Sequence, residues 1–360
     1  MIGSPVVSSF TLSRRPVATL IAALLLVLPA SARAIECGDV VGPGGKIALD
    51  QDLSGCAGAG TPALTLVGPV TLDLAGYQIR CATLDSADGV EVLGSSARIS
   101  NGSVRACKTY AIKLAGTGGH RVEDVSVRSS TGDGFLIESD KNSLSGVSST
   151  NHTGAGYVVS GATASLRNCV ATNDGDQGFR IESDGSKLQN NVAVNNSKEG
   201  YLVSGNGNKL SRNRASGNGN EGFELTGNGN KLKGDSADRN SQHGVTVSGD
   251  DNRMDRVDAI DNVGNGFELA AGTGNRIKAS TATSNGSDGI EISANNSRVQ
   301  SNRAYNNADN GFNVIGGSGN ELIDGTGFEN TGHDGRDTTA CASATWSRNT
   351  LRTTNDACIE

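Results

Sequence analysis

The sequence predicts an all-β protein in which a repeat of 22 residues forms each coil of a parallel β-solenoid. Three observations predict it: a glycine-led apolar motif returns at nearly constant spacing, apolar residues alternate with polar ones inside each repeat, and asparagine and glycine recur at fixed positions between the apolar segments. We expect about 12 coils, closed at both ends by disulfide-bearing caps.

The first segment, residues 1–34, has the pattern of a secretory signal peptide. Arg14 and Arg15 form a basic region, residues 17–30 are apolar, and residues 32–34 read A-R-A, which is typical of a cleavage site. The apolar run is too short to span a bilayer. We therefore expect a secreted protein, extracellular or periplasmic, with no transmembrane segment.

The charge of the chain bears on its partners. Cleavage after Ala34 removes Arg14, Arg15 and Arg33 and no acidic residue, so the 31 basic residues fall to 28 against 38 acidic ones, and the net charge of −7 becomes −10. No run of basic residues is visible in the sequence. This argues against nucleic acid and against an anionic membrane surface as partners.

The cysteines indicate an oxidising compartment. All seven lie beyond the leader, six of them near the two ends, and none forms a C-x-x-C pair that would suggest zinc or redox chemistry. Pairing neighbours predicts three disulfides and leaves Cys169 as a small buried hydrophobe. The predicted pairs are Cys37–Cys56, Cys81–Cys107 and Cys341–Cys358.

The repeat is marked by copies of one four-residue motif, such as "GFEL" at Gly222. Two of the ten steps between copies are 23 residues long and the others are 22. Phe223 and Leu225 show the alternation of a strand with one buried face, and Leu232 and Ala237 mark two further short strands in the same repeat. The copies begin at Gly89, Ala111, Gly134, Gly156, Gly178, Gly200, Gly222, Gly244, Gly266, Gly289 and Gly311.

Asparagine and glycine recur where each coil turns its three corners. Tight corners need a positive φ, which both residues tolerate, and stacked asparagines can hydrogen-bond along the column. All six prolines precede residue 70, so none interrupts the strand ladders. The recurring corner residues are Asn208, Asn230, Asn252, Asn275 and Asn320; Asn191, Asn213, Asp235 and Asn302; and Asn196, Asn218, Asn240, Asn262, Asn285 and Asn307.

The ends of the chain depart from the period. Residues 35–62 and 331–360 lack the motif and carry most of the cysteines and the only tryptophan. Because the open ends of a solenoid are strand edges that invite aggregation, we interpret the two segments as an N-terminal and a C-terminal cap. The repeats then occupy residues 63–330.

These coils, with the pattern GF-x-L…N-x-L…N-x-A…N, resemble the right-handed, single-stranded parallel β-helix of the pectin-lyase-like superfamily. "VTLDLAGYQI" at residues 70–79 resembles the opening coil of its secreted members. The resemblance implies the fold over about three-quarters of the chain. It leaves the activity open, because the superfamily includes lyases, epimerases, hydrolases, adhesins and proteins without known chemistry.

In the enzymes of this superfamily the substrate lies across the first strand of each coil and the turn before it. The resemblance therefore implies that the outward column of the first strands faces a glycan, with neighbours about 4.8 Å apart. The column contains Glu91, Lys113, Leu136, Val158, Arg180, Leu202, Glu224, Thr246, Glu268, Glu291 and Asn313. Its leucines and valine are expected to be exposed.

Lyase or C5-epimerase chemistry on a uronic acid needs a cation for the developing enolate and a base for the proton. Arg180 is the candidate for the cation, Asp174 or Asp176 for the proton acceptor or a calcium ligand, and His152 for an assisting group one coil below. The alternative is that these charges only solvate an outer surface. Further candidate binding residues on the same face are Lys113, Glu182, Glu224 and Glu268.

A secondary candidate is "HDGRD", beginning at His333 and Asp334, for which an ordinary Asp-Gly turn is the alternative. His243, between Glu221 and Glu268, is a third grouping. No metal-ligand spacing occurs. The Asp-Pro-His-Asp motif of alginate epimerases and the paired aspartates of polygalacturonases are also absent. These departures from the enzyme patterns leave the catalytic role open.

Two functions from different classes remain. One is a secreted lyase, C5-epimerase or hydrolase acting on an extracellular polysaccharide or a cell-surface glycan, with calcium as the one cofactor suggested. The other is a non-catalytic solenoid that binds glycans or serves as an adhesive or structural surface element. The acidic chain would repel a polyuronate unless calcium or a local basic strip intervened.

Overall fold

The computed structural model describes residues 34–56, 60–82, 88–161 and 163–359, and over these residues the chain is a parallel β-solenoid without a helix. Each coil contributes three short strands, and each strand pairs in parallel with its equivalent about 22 residues away. Tyr201, for example, pairs with Phe223, and Phe223 pairs with Val245. The predicted fold class is confirmed. Residues 1–33 of the predicted signal peptide lie outside the described residues.

The first strands of the coils form one 14-stranded parallel sheet. Its strands are Asp39–Val41, Leu64–Leu66, Asp88–Val92, Tyr110–Leu114, Asp133–Ile137, Tyr157–Val159, Phe179–Ile181, Tyr201–Val203, Phe223–Leu225, Val245–Val247, Phe267–Leu269, Ile290–Ile292, Phe312–Val314 and Gly335–Asp337.

The second strands stack in the same way. They are Lys46–Ala48, Thr71–Asp73, Asn142–Ser145, Ala164–Arg167, Lys187–Gln189, Lys209–Ser211, Lys231–Lys233, Arg253–Asp255, Arg276–Lys278, Arg298–Gln300, Asn320–Ile323 and Ala344–Ser347. Two longer strands, Arg98–Arg105 and Arg121–Arg128, run through both the second and the third positions of their coils.

The third strands complete each coil. They are Leu53–Cys56, Gln78–Cys81, Ser148–Thr150, Val170–Thr172, Val192–Val194, Arg214–Ser216, Ser236–Asp238, Asp258–Ile260, Thr281–Thr283, Arg303–Tyr305, Thr326–Phe328 and Thr350–Leu351.

The solenoid has about 14 coils, slightly more than the 12 predicted. The additional strands belong to segments that the sequence assigned to the caps. Asp39–Val41 pairs with Leu64–Leu66 at one end, and Gly335–Asp337 pairs with Phe312–Val314 at the other. The boundaries of the caps stay a prediction.

The interior is filled by side chains that repeat from coil to coil. Phe135, Tyr157, Phe179, Tyr201 and Phe223 are fully buried and stack with ring centroids 4.6–4.9 Å apart and nearly parallel planes. Each ring therefore covers the faces of its neighbours, and this close packing of aromatic surface makes the register costly to change.

The corners are held by ladders of side-chain amides. The backbone N–H of Asn218 donates to Oδ1 of Asn240, 3.1 Å away, and the Nδ2 of Asn218 donates to the same oxygen at 2.9 Å. The predicted hydrogen bonding along the column is confirmed. The predicted backbone conformation is wrong, because the positive φ falls on the preceding residue, such as Gly217 (φ 65°) or Asn195 before Asn196.

The cysteine predictions are confirmed. Disulfides join Cys37 to Cys56, Cys81 to Cys107 and Cys341 to Cys358, and Cys169 is a free, buried thiol. Burial raises the pKa of Cys169 to about 12, so this thiol stays protonated and serves as a packing residue.

Candidate functional site on the first-strand face

The outward column of the first strands is assembled as predicted. Arg180 pairs with Val158 and Leu202, Glu224 pairs with Thr246, and Glu268 pairs with Glu291. Together with the residues that precede each motif glycine, this column forms the surface that we call the first-strand face. Charges on adjacent coils of this face lie about one strand spacing apart, close enough to shift one another's pKa.

The prediction of exposed apolar residues on this face is wrong for Leu136 and Val158. Their relative exposures are 8% and 1%, and both pack with Ala155 and the partly buried Tyr110 in a second apolar cluster outside the solenoid core. The sequence could not show this, because the covering side chains come from neighbouring coils. Leu202 is half-buried.

Arg180 faces outward and has acidic neighbours. Its Nε lies 3.1 Å from Oε1 of Glu182. On the following coil, Nζ of Lys198 lies 2.8 Å from Oδ1 of Asp176. Burial raises the pKa of Asp133 in the same region, while the charge of Arg180 acts in the opposite direction. The structure therefore brings together Arg180, Asp176 and Glu182, as the sequence analysis expected, and adds Asp133 and Lys198.

Asp174 and His152 lie on adjacent coils as expected, but both are buried inside the third corner. The N–H of His152 donates to Oδ1 of Asp174 at 2.9 Å, and the N–H of Asp174 donates to Oδ1 of Asn196 at 3.1 Å. Burial raises the pKa of Asp174 to about 7 and lowers that of His152 to about 4. Both residues occupy slots of the asparagine ladder, which explains why they point inward.

The two suggested calcium ligands do not converge. Asp174 is fully buried in the ladder, whereas Asp176 is partly exposed and ion-paired with Lys198.

Lys113, a further binding candidate on this face, forms ion pairs with two glutamates. Its Nζ lies 3.4 Å from Oε1 of Glu91 and 3.6 Å from Oε2 of Glu138.

Carboxylates dominate the C-terminal half of the first-strand face. We call this set the acidic strip. It comprises Glu199, Glu221, Glu224, Glu268, Asp288 and Glu291. The oxygens of the first three lie within 4.8 Å of one another, and theirs is the one convergent group of three potential metal ligands among the residues that the structure describes. A shared proton or a divalent cation would relieve their repulsion.

The three glutamates are buried or partly buried. Glu199 is buried and accepts a hydrogen bond from Nε2 of Gln177 at 3.0 Å. Burial raises the pKa of Glu221 and of Glu224, and the charges of neighbouring glutamates raise both further.

The other end of the acidic strip is a hydrogen-bonded group around Asp288. The backbone N–H and the Nδ2 of Asn310 both donate to its Oδ1 at 2.8 Å, and Nδ2 of Asn313 donates to its Oδ2 at 2.7 Å. Burial, followed by the hydrogen bond and charge of Asp288, raises the pKa of Glu291 to about 7. Glu291 therefore keeps its proton up to near neutral pH, and it lies beside Asp288, whose carboxylate accepts these hydrogen bonds.

Glu268 lies one coil before Glu291 in the same column. Its Oε2 is 3.6 Å from Nε2 of His243 and accepts a hydrogen bond from Thr246 at 3.3 Å. Nδ1 of His243 accepts from the N–H of Asn265 at 2.9 Å, which leaves Nε2 as the protonated nitrogen, directed at the carboxylate.

The secondary candidate separates into two different environments. His333 continues the column that precedes the first strands, and its N–H donates to Oδ1 of Asn310 at 3.0 Å. Asp334 is buried and accepts the N–H groups of Arg352 and Thr353, so it holds the C-terminal segment in place.

The sequence analysis found only part of the acidic strip, the grouping of Glu221 and Glu268 with His243. It also identified Glu224 as a binding candidate, and it placed Glu291 in the outward column without a role of its own. The signal that could have found the group is the residue before each motif glycine: reading Glu199, Glu221 and Asp288 as a second column would have placed them beside the outward column.

The sequence matches the family model described as right-handed beta helix region over residues 88–238 and 230–360. The chain belongs to the right-handed β-helix family. No curated protein sequence matches it. No helix in the part of the chain that the structure describes is long and apolar enough to cross a membrane.

Solved structures share this fold at low sequence identity. The A-module of the mannuronan C-5 epimerase AlgE4 of Azotobacter vinelandii is 16% identical, with 89% of this chain and 91% of that chain covered and a TM-score of 0.60. The periplasmic alginate epimerase AlgG is 13% identical over 74% and 76% of the two chains, with a TM-score of 0.53. The catalytic unit of a GH87 α-1,3-glucanase of Streptomyces thermodiastaticus is 14% identical over 90% and 65%, with a TM-score of 0.54.

Proposed function

We propose that this β-helix protein binds a polysaccharide along its first-strand face and hydrolyses it at the acidic strip. The observation that carries the proposal is the pairing of Glu291, whose pKa is raised to about 7, with Glu268, which lies on the adjacent coil and contacts His243 and Thr246. Glycoside hydrolysis uses two such carboxyl groups, one as the general acid and one as the nucleophile or base.

In this mechanism Glu291 is the general acid and Glu268 the nucleophile. Glu291 gives its proton to the glycosidic oxygen as the bond from that oxygen to the anomeric carbon breaks, and Glu268 forms a bond to the anomeric carbon. Water, deprotonated by Glu291, then releases the sugar and restores both groups. The two residues pair on adjacent coils, whose strands are about 4.8 Å apart, so their side chains can reach the roughly 5–5.5 Å that separates the carboxyl groups of retaining enzymes.

The charge of the face favours a neutral glycan as substrate. Six carboxyl groups in the acidic strip would repel a polyuronate, and the repulsion would be strongest at low ionic strength. The likeness in fold to an α-1,3-glucanase and to epimerases of mannuronan and alginate supports a polysaccharide as the ligand class.

A second candidate, a uronate lyase or C5-epimerase, is favoured by the surroundings of Arg180. Its side chain is 33% exposed, and Asp133, with a raised pKa, and Asp176 lie on the same part of the face. Arg180 would bind the sugar carboxylate, and one of the two aspartates would accept the proton. Asp174 and His152 take no part in this version, because both are buried in the corner ladder.

The test is a panel of neutral and uronate polysaccharides, each incubated with the protein with and without calcium. New reducing ends from a neutral glycan support hydrolysis, and Glu291→Gln should reduce their rate by about 100-fold or more. Glu329→Gln, the same substitution at an exposed residue outside the first-strand face, is the matched control. Unsaturated or epimerised uronates that disappear with Arg180→Ala would instead support the second candidate.

A wild-type protein that binds a glycan and alters none would overturn both catalytic versions. It would leave a non-catalytic glycan-binding solenoid, the remaining function from the sequence analysis. Loss of hydrolysis in Glu329→Gln as well as in Glu291→Gln would show that the carboxyl pair is not the specific site.

The same proposal puts the protein outside the cytoplasm. Three disulfides support this location, since such bonds persist in oxidising compartments. The extracellular or periplasmic location predicted from residues 1–34 fits a polysaccharide ligand.

A further inference from the structure

The second strands carry a row of positive charge that is not visible as a run in the sequence. At the first position of the strand, six successive coils present a lysine or arginine, and the register pairs each with the next. We call this row the cationic ladder. It consists of Lys187, Lys209, Lys231, Arg253, Arg276 and Arg298, with neighbours about 4.8 Å apart.

The ladder is exposed and largely unneutralised. Its first four members are exposed, and among the residues that the structure describes only Arg298 has a carboxylate within ion-pair distance, Glu321 at 2.6 Å. Lys233 and Lys278 add positive charge two positions further along their strands. The surface is therefore strongly cationic on a chain whose net charge is −7.

The first half of the ladder lines a surface depression of 340 Å³. Its lining residues are Lys187, Leu188, Gln189, Lys209, Leu210, Ser211, Lys231 and Lys233. The lysines offer charge, and the amide and the hydroxyl offer hydrogen bonds to polar groups that carry no charge.

The arrangement is unfavourable for folding by itself. Like charges directly opposite each other on neighbouring strands destabilise a sheet. Interspersed acids at these positions would remove the repulsion, as Glu321 does at the end of the ladder. A bound polyanion would neutralise the row in the same way.

We propose that the cationic ladder binds a linear anionic polysaccharide, bearing uronate or sulfate groups, in an extended conformation. The strand spacing is close to the length of one sugar unit in such a chain, so successive acidic sugars can each meet one coil. This site lies on a different face from the acidic strip. It would anchor the protein to an anionic matrix while the first-strand face remains free.

The geometry favours a polysaccharide over a nucleic acid. Single-stranded nucleic acids bind through bases stacked on aromatic rings, and no outward position of the second strands from Lys187–Gln189 to Arg298–Gln300 is aromatic. The phosphates of a duplex follow a helical path, whereas the ladder is a row along the coil axis.

The test measures binding of polygalacturonate oligomers and of heparin at several salt concentrations. We expect both to bind at low salt, with affinity falling as salt rises. The double variant Lys209→Glu/Lys231→Glu should bind about tenfold more weakly and show a salt slope smaller by about two. Duplex DNA, single-stranded DNA and vesicles with anionic lipid serve as competing probes.

The matched control is Lys108→Glu/Arg303→Glu, which makes the same charge change at exposed residues outside the ladder and should bind like wild type. Circular dichroism of both double variants checks that each is folded. No binding of either glycan at low salt, or equal weakening in both double variants, overturns the proposal. Tighter binding of DNA or vesicles through the same lysines would also overturn it. A preference between polygalacturonate and heparin would identify the anionic group.

Discussion

The first strands and the second strands belong to the same 22-residue repeat, yet the acidic strip on the first-strand face and the cationic ladder on the second strands carry opposite charge. The acidic strip brings together carboxyl groups whose pKa values are raised, as for Glu221 and Glu291. The cationic ladder repeats one charge through six coils. In a solenoid, a charged residue at one position of the repeat becomes a row of like charges on the surface, because each position recurs about every 4.8 Å along the axis.

The two faces also differ in how their charges are arranged. The ladder is a single row whose first four members are exposed, which suits a long ligand with many weak contacts. The acidic strip draws on two columns, so that Asp288 and Glu291 hydrogen-bond each other across them and one proton is held in place. A held proton suits chemistry at one bond.

The largest expected effect tests the scaffold that the two faces share. Phe223 is fully buried in the aromatic stack, so Phe223→Asp places a charge where no partner exists. We expect a loss of more than about 4 kcal/mol in the free energy of unfolding, and loss of ligand binding at both faces together. Urea unfolding measures it. A variant that melts within a degree or two of wild type would show that the stack is not the common support.

A pH titration separates the faces next. As a general acid, Glu291 must be protonated, so hydrolysis should fall about tenfold per pH unit above its pKa of about 7. The lysines and arginines of the ladder keep their charge through this range, so polyanion binding should not change between pH 6 and 8. If hydrolysis and polyanion binding changed with pH in the same way, the acidic strip and the cationic ladder would not have separate functions.

The same group should leave a signature in stability. The folded-state pKa of Glu291 lies above its unfolded value. Its contribution to the free energy of unfolding is therefore complete below about pH 4.5, and it is lost as pH rises through about 7. Allowing for solvent screening, wild type should lose about 1 kcal/mol more than Glu291→Gln between pH 5 and 8. Equal losses would place the titrating group elsewhere.

The smallest expected effect compares repulsion on the two faces. Glu224→Gln removes one of three crowded carboxyl groups and should stabilise the protein by about 0.5 kcal/mol at pH 8 and low salt. Lys231→Gln, in an open row, should stabilise it less. Urea unfolding at low and high salt measures both, and high salt should remove most of either gain. A larger gain in the free energy of unfolding for Lys231→Gln than for Glu224→Gln would show that repulsion is stronger in the cationic ladder than in the acidic strip.

The repeat period made most of the fold predictable. Constant spacing of Phe223 and its equivalents predicted the strands and their register, and pairing neighbouring cysteines near the ends predicted the disulfides. The conformation of the corners was less accessible. The sequence shows that asparagine recurs there, but only the structure shows that the residue before it, such as Gly217, takes the positive φ.

The candidate sites were harder to predict because they depend on which side of the backbone a residue occupies at a corner. Asp174 and Asp176 are two positions apart, yet one enters the ladder and the other pairs with Lys198 at the surface. The cationic ladder was missed for another reason. Lys209 and Lys231 are separated by 22 residues, so neither counts as part of a basic run, although they are neighbours in space.

The corner ladders give the solenoid a direction. The N–H of Asn196 is satisfied by Asn218, that of Asn218 by Asn240, and that of Asn240 by Asn262, so every coil receives its acceptor from the coil that follows. Deleting coils from the C-terminus would leave buried donors unpaired at the new end, whereas deleting them from the N-terminus would leave unpaired acceptors. A chain that folds from its N-terminus would satisfy the corner N–H groups of each coil only when the next coil has formed, and the C-terminal segment would supply the last acceptors.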